Sequence, residues 1–445
     1  MASRKSGSPA AAVKQARQLQ DEASALRHKA DELEMQAVNL LAPAQCAEAA
    51  RSIAGRKGRV AVFLGAGASF TFGFPLTKDL LPIILRCLLN RSLFEDARVN
   101  NKIANRKDRA SLRKALAALC PGLEFTPEFL EENKFRLPLV TSLLSMLDFS
   151  LSAGQALISG LTPEEIKNAR MLLERAIYEA IEYGNQTDSS RSFSRGVGRP
   201  TKSLTKWLDG LRPLGEVSVI TSNYDVAVEK AWGFDEDNKF LIEDLAPDFG
   251  FDWLWPTNSP NEQLMKRPAK PLHRLYKLHG STNWLKCGLC DRMYINPLVD
   301  IAIYAYERQH TLSNKCHCGH GKLEVQIVSP SFVREMRAPN LASIWQHALN
   351  WLRSADDWIV IGYSFPDEDL NIRSLFTRAV ASRHNPPQVT AVQFGTSEQT
   401  RMRYEAFFPT GKLTFLTSGL QVFLDCVTKS DDDTKSRPGK SGRKG

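Results

Sequence analysis

Gly65-Ala66-Gly67-Ala68-Ser69 follows directly on the apolar run Val60-Ala61-Val62-Phe63-Leu64. A buried strand that ends in a Gly-Ala-Gly turn lets backbone N–H groups approach a pyrophosphate, which larger side chains would block. Glycine-rich strand ends also serve as ordinary turns. Two later segments, Thr221-Ser222-Asn223-Tyr224-Asp225 and Leu278-His279-Gly280-Ser281, add polar groups suited to catalysis. An Asn amide can orient water or a carboxamide without adding charge. An imidazole with an ordinary pKa of about 6.5 can take a proton from a hydroxyl or water at neutral pH. The bland alternatives are a helix cap for Asn223 and Asp225, and a hydrogen-bonded core or turn histidine for His279.

Of the eight cysteines, Cys46, Cys87, Cys120 and Cys426 are scattered along the chain. The other four form a module, Cys287-x₂-Cys290, 25 intervening residues, then Cys316-x-Cys318. Four thiolates so spaced suit a tetrahedral structural Zn²⁺ site, with no open position for catalysis. The second pair has one spacer rather than two, and His317 and His320 are possible substitutes for a Cys. A cysteine-containing hairpin without metal is the alternative.

The elements that must position these groups read as an α/β fold. Apolar strands are expected at Val217–Thr221, Leu275–Leu278, Trp358–Gly362, Val389–Phe394 and Leu413–Leu416. Helical stretches at Asn340–Ser354, Ile372–Arg383 and Glu398–Phe407 alternate with the last three. Strands bounded by polar turns and alternating with helices indicate a doubly wound parallel sheet. Ligands in such sheets bind beyond the carboxyl ends of the strands, where each motif above falls. Trp284 reads as packing rather than stacking. Asp367 and Asp369 precede an expected helix, where acidic residues favour the N-terminus.

Between the first strand and residue 213 the sequence is helix-rich. Helices are expected at Leu76–Leu89, Asp108–Leu119, Leu137–Ser150 and Pro163–Tyr183, the last capped by Thr162. Asn185–Pro200 reads as an exposed loop. This insertion, about residues 78–213, carries nothing that looks catalytic and suits a lid or an assembly surface. Residues 11–41 carry Leu19, Leu26, Leu33 and Leu40 seven apart, each with an Ala three residues before it. That Ala/Leu seam predicts a self-associating coiled coil, with a single helix laid on the body as the alternative.

The domain reading is a coiled-coil helix and flexible start (1–50), a catalytic domain (51–428) with a zinc module at about 285–322, and a disordered basic tail (429–445). Net charge is +9, but the ends carry +5 of it, leaving an unremarkable body. Solvated ends are the simplest account, with nucleic acid a further option through them. No apolar run reaches 18 residues, and no hydrophobic segment follows the N-terminal charges, so we expect a cytoplasmic protein without a membrane span.

In chain order, Gly-Ala-Gly-Ala-Ser, Thr-x-Asn-Tyr-Asp, Lys-Leu-His-Gly-Ser, the cysteine module and Gly-Tyr-Ser-Phe resemble the sirtuin superfamily. The resemblance is to its divergent bacterial branch, the sirtuin-like NADases of anti-phage defence systems, over roughly residues 57–80 and 215–420. It implies that Gly65, Ala66, Gly67 and Ser69 hold the NAD pyrophosphate, with Thr221 also on the cofactor side. It implies Asn223 and Asp225 at the nicotinamide ribose, His279 as the base, and Gly362 and Ser364 near the adenosine half. It makes Cys287, Cys290, Cys316 and Cys318 the zinc ligands. Ile327-Val-Ser-Pro-Ser331 and Asp367/Asp369 are similar to the bacterial branch too.

The sequence departs from protein-deacylating sirtuins. Leu76-Thr77-Lys78 follows Gly-Phe-Pro where deacylases have Asp-Phe-Arg, Tyr224 replaces a small aliphatic residue, and no acyl-lysine peptide loop is evident. The family's Asn on the late strand is missing, with only Gln393 offering an amide there. These losses favour water as the acceptor. The expectation is an NAD⁺ glycohydrolase releasing nicotinamide and ADP-ribose, with Asn223 and His279 as the key pair. The coiled coil and the helical insertion suggest a homo-oligomer, and the resemblance implies activity held in check until an activating protein partner or phage-derived trigger arrives. A protein-lysine deacylase and a non-catalytic NAD or ADP-ribose sensor that drives oligomerisation are the alternatives.

Overall fold

The structure is a computed structural model and describes residues 29, 40–95, 102–133, 136–153, 158–183, 199–213, 215–232, 247–255, 264–296, 301–306, 315–319, 321–327, 339–367, 369–395, 398–408 and 411–435. Apart from Lys29, Leu40 and Leu41, the heptad segment lies outside them. So do nearly all of the Asn185–Pro200 loop, Val328–Ser331, His320 and the tail beyond residue 435.

A helix over residues 40–55 (α1) leads into β1 (Val60–Leu64) and the short α2 (Ala66–Thr71). The helical insertion then supplies α3 (Thr77–Leu89), α4 (Lys102–Leu119), α5 (Pro127–Asn133), α6 (Val140–Ser152), α7 (Pro163–Tyr183) and α8 (Arg199–Leu211). Next come β2 (Val217–Thr221), α9 (Ala227–Trp232), β3 (Trp253–Leu254), β4 (Leu264–Met265), β5 (Leu275–Lys277), β6 (Gly280–Cys287), β7 (Met293–Ile295) and β8 (Leu323–Ile327). The last part is α10 (Pro339–Ser354), β9 (Asp357–Ile361), α11 (Leu370–Ala381), β10 (Gln388–Val392), α12 (Glu398–Phe407), β11 (Leu413–Leu416) and α13 (Gly419–Lys435).

Six strands form a parallel sheet in the order β11-β10-β9-β1-β2-β5. Every residue of β1 and β9 is buried, as expected for strands covered by helices on both faces. The order runs outward in both directions from the β1/β9 pair, which makes that pair the topological switch point of a doubly wound sheet. Around it, the rings of Phe63, Tyr363, Phe365 and Phe376 form a closed circuit, with ring centroids 4.9–5.1 Å apart in successive pairs.

A second sheet, β4-β3-β7-β6-β8, carries the cysteines. Sequence reading placed a zinc module at about 285–322 but no sheet around it, because β3, β4 and β7 are two or three residues long and too short for periodicity. Trp284 is fully buried in this region, edge-on to Phe249 and Phe251 at 5.5 and 5.2 Å. It is a packing residue, as its setting in the sequence suggested.

The insertion is built by local rules. At α7, Thr162 and Glu165 exchange backbone-to-side-chain bonds of 2.9 and 3.3 Å, a capping box ahead of Pro163. The start of α4 lies at Lys102, earlier than the Asp108 expected, since the buried apolar stripe begins only at Leu112 and the one large apolar residue before it, Ile103, faces outward. At the other end of the chain α13 runs to Lys435, into the segment expected to be disordered. No helix among the described residues is long and apolar enough to cross a membrane.

Candidate functional site

Strand register brings the motifs together. Leu64 pairs with Thr221 of β2 and with Ile361 of β9, and Thr221 pairs with Lys277 of β5. Four neighbouring strands therefore end level, and Gly65, Ser222, Leu278 and Gly362 all leave from one edge. With adjacent strands about 4.8 Å apart, the residues just beyond them fall within one ligand's span.

The Gly-Ala-Gly turn closes on the end of β9. Gly65 N–H donates to Ile361 O and Gly67 N–H to Gly362 O, each at 2.9 Å. A Cβ on Gly65 would lie 2.5 Å from Gly362 O, and one on Gly362 would lie 2.2 Å from Ala68 N. Gly362 also holds φ +62°, in the left-handed region. These glycines are thus explained first by chain-to-chain contact at the switch point. The N–H groups of Gly65 and Gly67 are directed at β9.

Asn223 anchors the β2 loop to this turn. Its Nδ2 donates to Gly65 O at 2.8 Å and to Ser69 Oγ at 2.6 Å. Ser69 Oγ in turn donates to Asp225 Oδ2, and Asp225 Oδ1 accepts the Ala227 N–H at 3.1 Å at the start of α9. Both amide hydrogens of Asn223 are therefore held, and among the described residues its Oδ1 takes no bond. Asp225 is cap and brace together, with both oxygens engaged and 8% of its surface exposed. Thr221 braces the same turn, donating to Leu64 O at 2.9 Å and accepting the Asn223 N–H at 3.0 Å.

His279 is stapled beside this loop. The carbonyl of Tyr224 accepts Ser281 Oγ at 3.1 Å and Thr282 N–H at 3.0 Å. The Tyr224 and Trp345 rings flank the imidazole at centroid distances of 6.2 and 6.3 Å. Trp345 is fixed by its Nε1 bond to Leu278 O at 3.0 Å. His279 itself is only 3% exposed, so the residue expected as a base is buried beside these rings rather than lining an open cleft. Gly280 holds φ +80°, and a Cβ there would sit 1.9 Å from Gln326 O. Only glycine lets β8 come that close.

Sequence reading missed Lys277. It is buried on β5, its Nζ donating to Asp225 O and pairing with Glu229 Oε1 at 2.8 Å, both side chains 1% exposed. Burial pushes the Glu229 carboxyl up, and the Lys277 charge opposes that rise. A lysine inside the apolar run Leu275-Tyr276-Lys277-Leu278 was the available signal.

On the adenosine side expected from the resemblance, Ser364 is exposed beyond β9, next to Phe365 at φ +50°. Gln393, just past the end of β10, faces inward: its Nε2 donates to Tyr363 O and Tyr404 Oη, each at 3.0 Å. Tyr363 Oη donates to Asp369 Oδ2 at 2.9 Å, while Asp367 pairs with Arg373 and Arg403. The two aspartates serve loop and helix contacts.

The four module cysteines converge in the second sheet, with all their sulfurs within 4.8 Å of one another. Cys287 and Cys318 lie 3.8 Å apart and Cys290 and Cys316 3.5 Å apart. Zn–S bonds of about 2.3 Å in a tetrahedron give S···S of about 3.8 Å, so the cluster fits a zinc ion. The N–H groups of Leu289 and Cys318 donate to Cys287 Sγ and Cys316 Sγ at 3.4 Å, the support thiolates need. His317 is turned to Tyr294, its Nδ1 2.9 Å from the phenol oxygen.

Residues 217–408 match the family model of the SIR2-like domain. Similar solved structures include a Sir2 homologue–NAD complex, 12% identical, covering 87% of this chain and 94% of that one at a TM-score of 0.37. A Sir2–p53 peptide–NAD⁺ complex is 14% identical, covering 87% and 97% at a TM-score of 0.38. No curated protein matches the chain in sequence.

Proposed function

We propose that this chain, whose residues 217–408 match the model of the SIR2-like domain, is an NAD⁺ glycohydrolase that works at the carboxyl edge of the β9-β1-β2-β5 strands. The observation that supports it most is the Asn223 amide, whose two hydrogens are tied to Gly65 O and Ser69 Oγ while Oδ1 takes no bond among the described residues. A carboxamide oxygen so fixed suits a ribose hydroxyl or an attacking water.

Cleavage of the nicotinamide–ribose bond turns a cationic ring into a neutral leaving group and builds oxocarbenium character on the sugar. The bond pair leaves with nicotinamide, and water adds to the anomeric carbon and gives up a proton. His279 is the residue proposed to accept it, worth about 10²- to 10⁴-fold. Asp225 and Thr221 are positioning residues in this reading, since their oxygens are held within the protein. Ser69 links Asn223 to Asp225 and keeps the amide oriented.

The burial of His279 adds a condition. In this reading substrate reaches the imidazole when the groups packed around it, Tyr224 and Trp345 among them, move apart, which fits an enzyme whose resting state is restrained. Anti-phage defence, through depletion of NAD⁺ on triggering, is the setting we propose, with the segment at 11–41 and the helical insertion as the assembly and gating parts. The test is incubation of purified protein with NAD⁺, with and without an acyl-lysine peptide. Nicotinamide and ADP-ribose in equal amounts without peptide support hydrolysis. Nicotinamide release that requires peptide identifies a deacylase, and binding without turnover identifies a sensor.

A further inference from the structure

Within the helical insertion, α3, the turn after it and α4 enclose a cavity of about 450 Å³. Among the described residues its wall carries four guanidinium groups, from Arg91, Arg106, Arg109 and Arg113, and no carboxylate. Leu89 and Phe125 supply an apolar part of the lining. Arg106, Arg109 and Arg113 recur at helical spacing along one side of α4, and Arg91 faces them from the preceding turn at φ +62°.

Four like charges around one cavity repel one another, so a protein that keeps them there gains most when an anion fills it. Arg109 is partly neutralised, donating to Leu93 O at 2.9 Å and to the Glu95 carboxylate. Among the described residues, Arg91, Arg106 and Arg113 have no carboxylate partner. The Arg113 guanidinium lies 4.6 Å from the Phe125 ring centroid, a contact that orients the side chain and leaves its N–H edge for an acceptor. Guanidinium groups bind phosphate through paired N–H donors.

We propose that this cavity is a binding site for a small polyphosphorylated ligand of the nucleoside di- or triphosphate class. Two or three phosphates match the charge of the guanidiniums, and the volume lies within the range of about 300–1,000 Å³ usual for small-molecule sites. Leu89 and Phe125 offer apolar surface to a base. A concave pocket of this size favours a compact ligand over the extended backbone of a nucleic acid. The site is on the insertion, shares none of its described lining residues with the strand edge that carries Asn223 and His279, and does not depend on the NAD⁺ reading.

Isothermal titration of the full chain with inorganic pyrophosphate, ATP and orthophosphate, at about 0.15 M salt, tests this. Saturable binding of pyrophosphate and ATP is expected, with orthophosphate weaker. The double variant Arg106→Gln/Arg113→Gln changes exposed side chains. It should keep its circular dichroism spectrum and NAD⁺ binding, yet bind pyrophosphate at least about tenfold more weakly. Lys107→Gln removes one charge from the same helix outside the lining and should change the affinity less than about twofold. An equal loss with Lys107→Gln would mean diffuse attraction only. Loss of pyrophosphate binding in Asn223→Ala, with the arginine variant unaffected, would move the ligand to the other site. No saturable binding, or capture of a single-stranded oligonucleotide but not of pyrophosphate or ATP, would overturn the proposal.

Discussion

At Asn223 the side chain is held by bonds that join two segments, the Gly65–Ser69 turn and the loop carrying Asp225. Ser69→Ala cuts the chain in the middle while leaving the Gly65 contact. We expect turnover to fall about tenfold with the pH profile unchanged, because orientation is loosened and no titrating group is lost. A pH–rate series on the variant checks this. Lys277 gives a stability test that is separate from chemistry. Lys277→Met leaves Glu229 charged and buried, at a cost of about 3–5 kcal/mol. The double variant Lys277→Met/Glu229→Leu should recover most of it in urea unfolding. The Asn223 and His279 motifs were visible in the sequence because they use polar residues where apolar strands end. The ion pair behind them was not, since its partners are 48 residues apart and meet only once β5 lies beside β2.

The second sheet and the insertion carry the tests at the scale of elements. Purified protein is expected to hold about one zinc per chain, and removal by a strong chelator should lower the melting temperature. Cys290→Ser should do the same while leaving the parallel sheet folded. At the contact of α7 with this sheet, burial pushes the Glu174 carboxyl up to about 7, against the pull of Arg170 at 2.8 Å. Asp148 and Glu324 add to the rise. The folded state therefore keeps a proton that the unfolded chain releases near pH 4.5. The stabilisation is full below that pH and is lost as pH rises through 7. Protection of α7 amides relative to the intrinsic exchange rate at each pH should be lower at about pH 8 than at about pH 6, and Glu174→Gln should flatten that difference in protection. Helices such as α7 were legible from cap and periodicity. Short strands such as β3 and β4 were not, because their order comes from pairing across the sheet.

Over the whole molecule, the doubly wound sheet does two things at once. It lines up four strand ends so that distant motifs meet, and it packs the Gly-Ala-Gly turn so tightly on β9 that Gly362 admits no side chain. The sheet could be read from alternating apolar strands and helices, since that alternation has few packed solutions. The closure around His279 could not, because Trp345 arrives from α10, 66 residues later in the chain. In the reading proposed above, activity needs an opening motion beside His279, so the proposed hydrolysis is best tested on the protein in its cellular setting. NAD⁺ should be measured in cells that express wild type, Asn223→Ala or His279→Ala, before and after phage challenge. The account predicts a fall in NAD⁺ after challenge with wild type alone, with ADP-ribose and nicotinamide rising together. Equal depletion with the wild type and the two variants would contradict it.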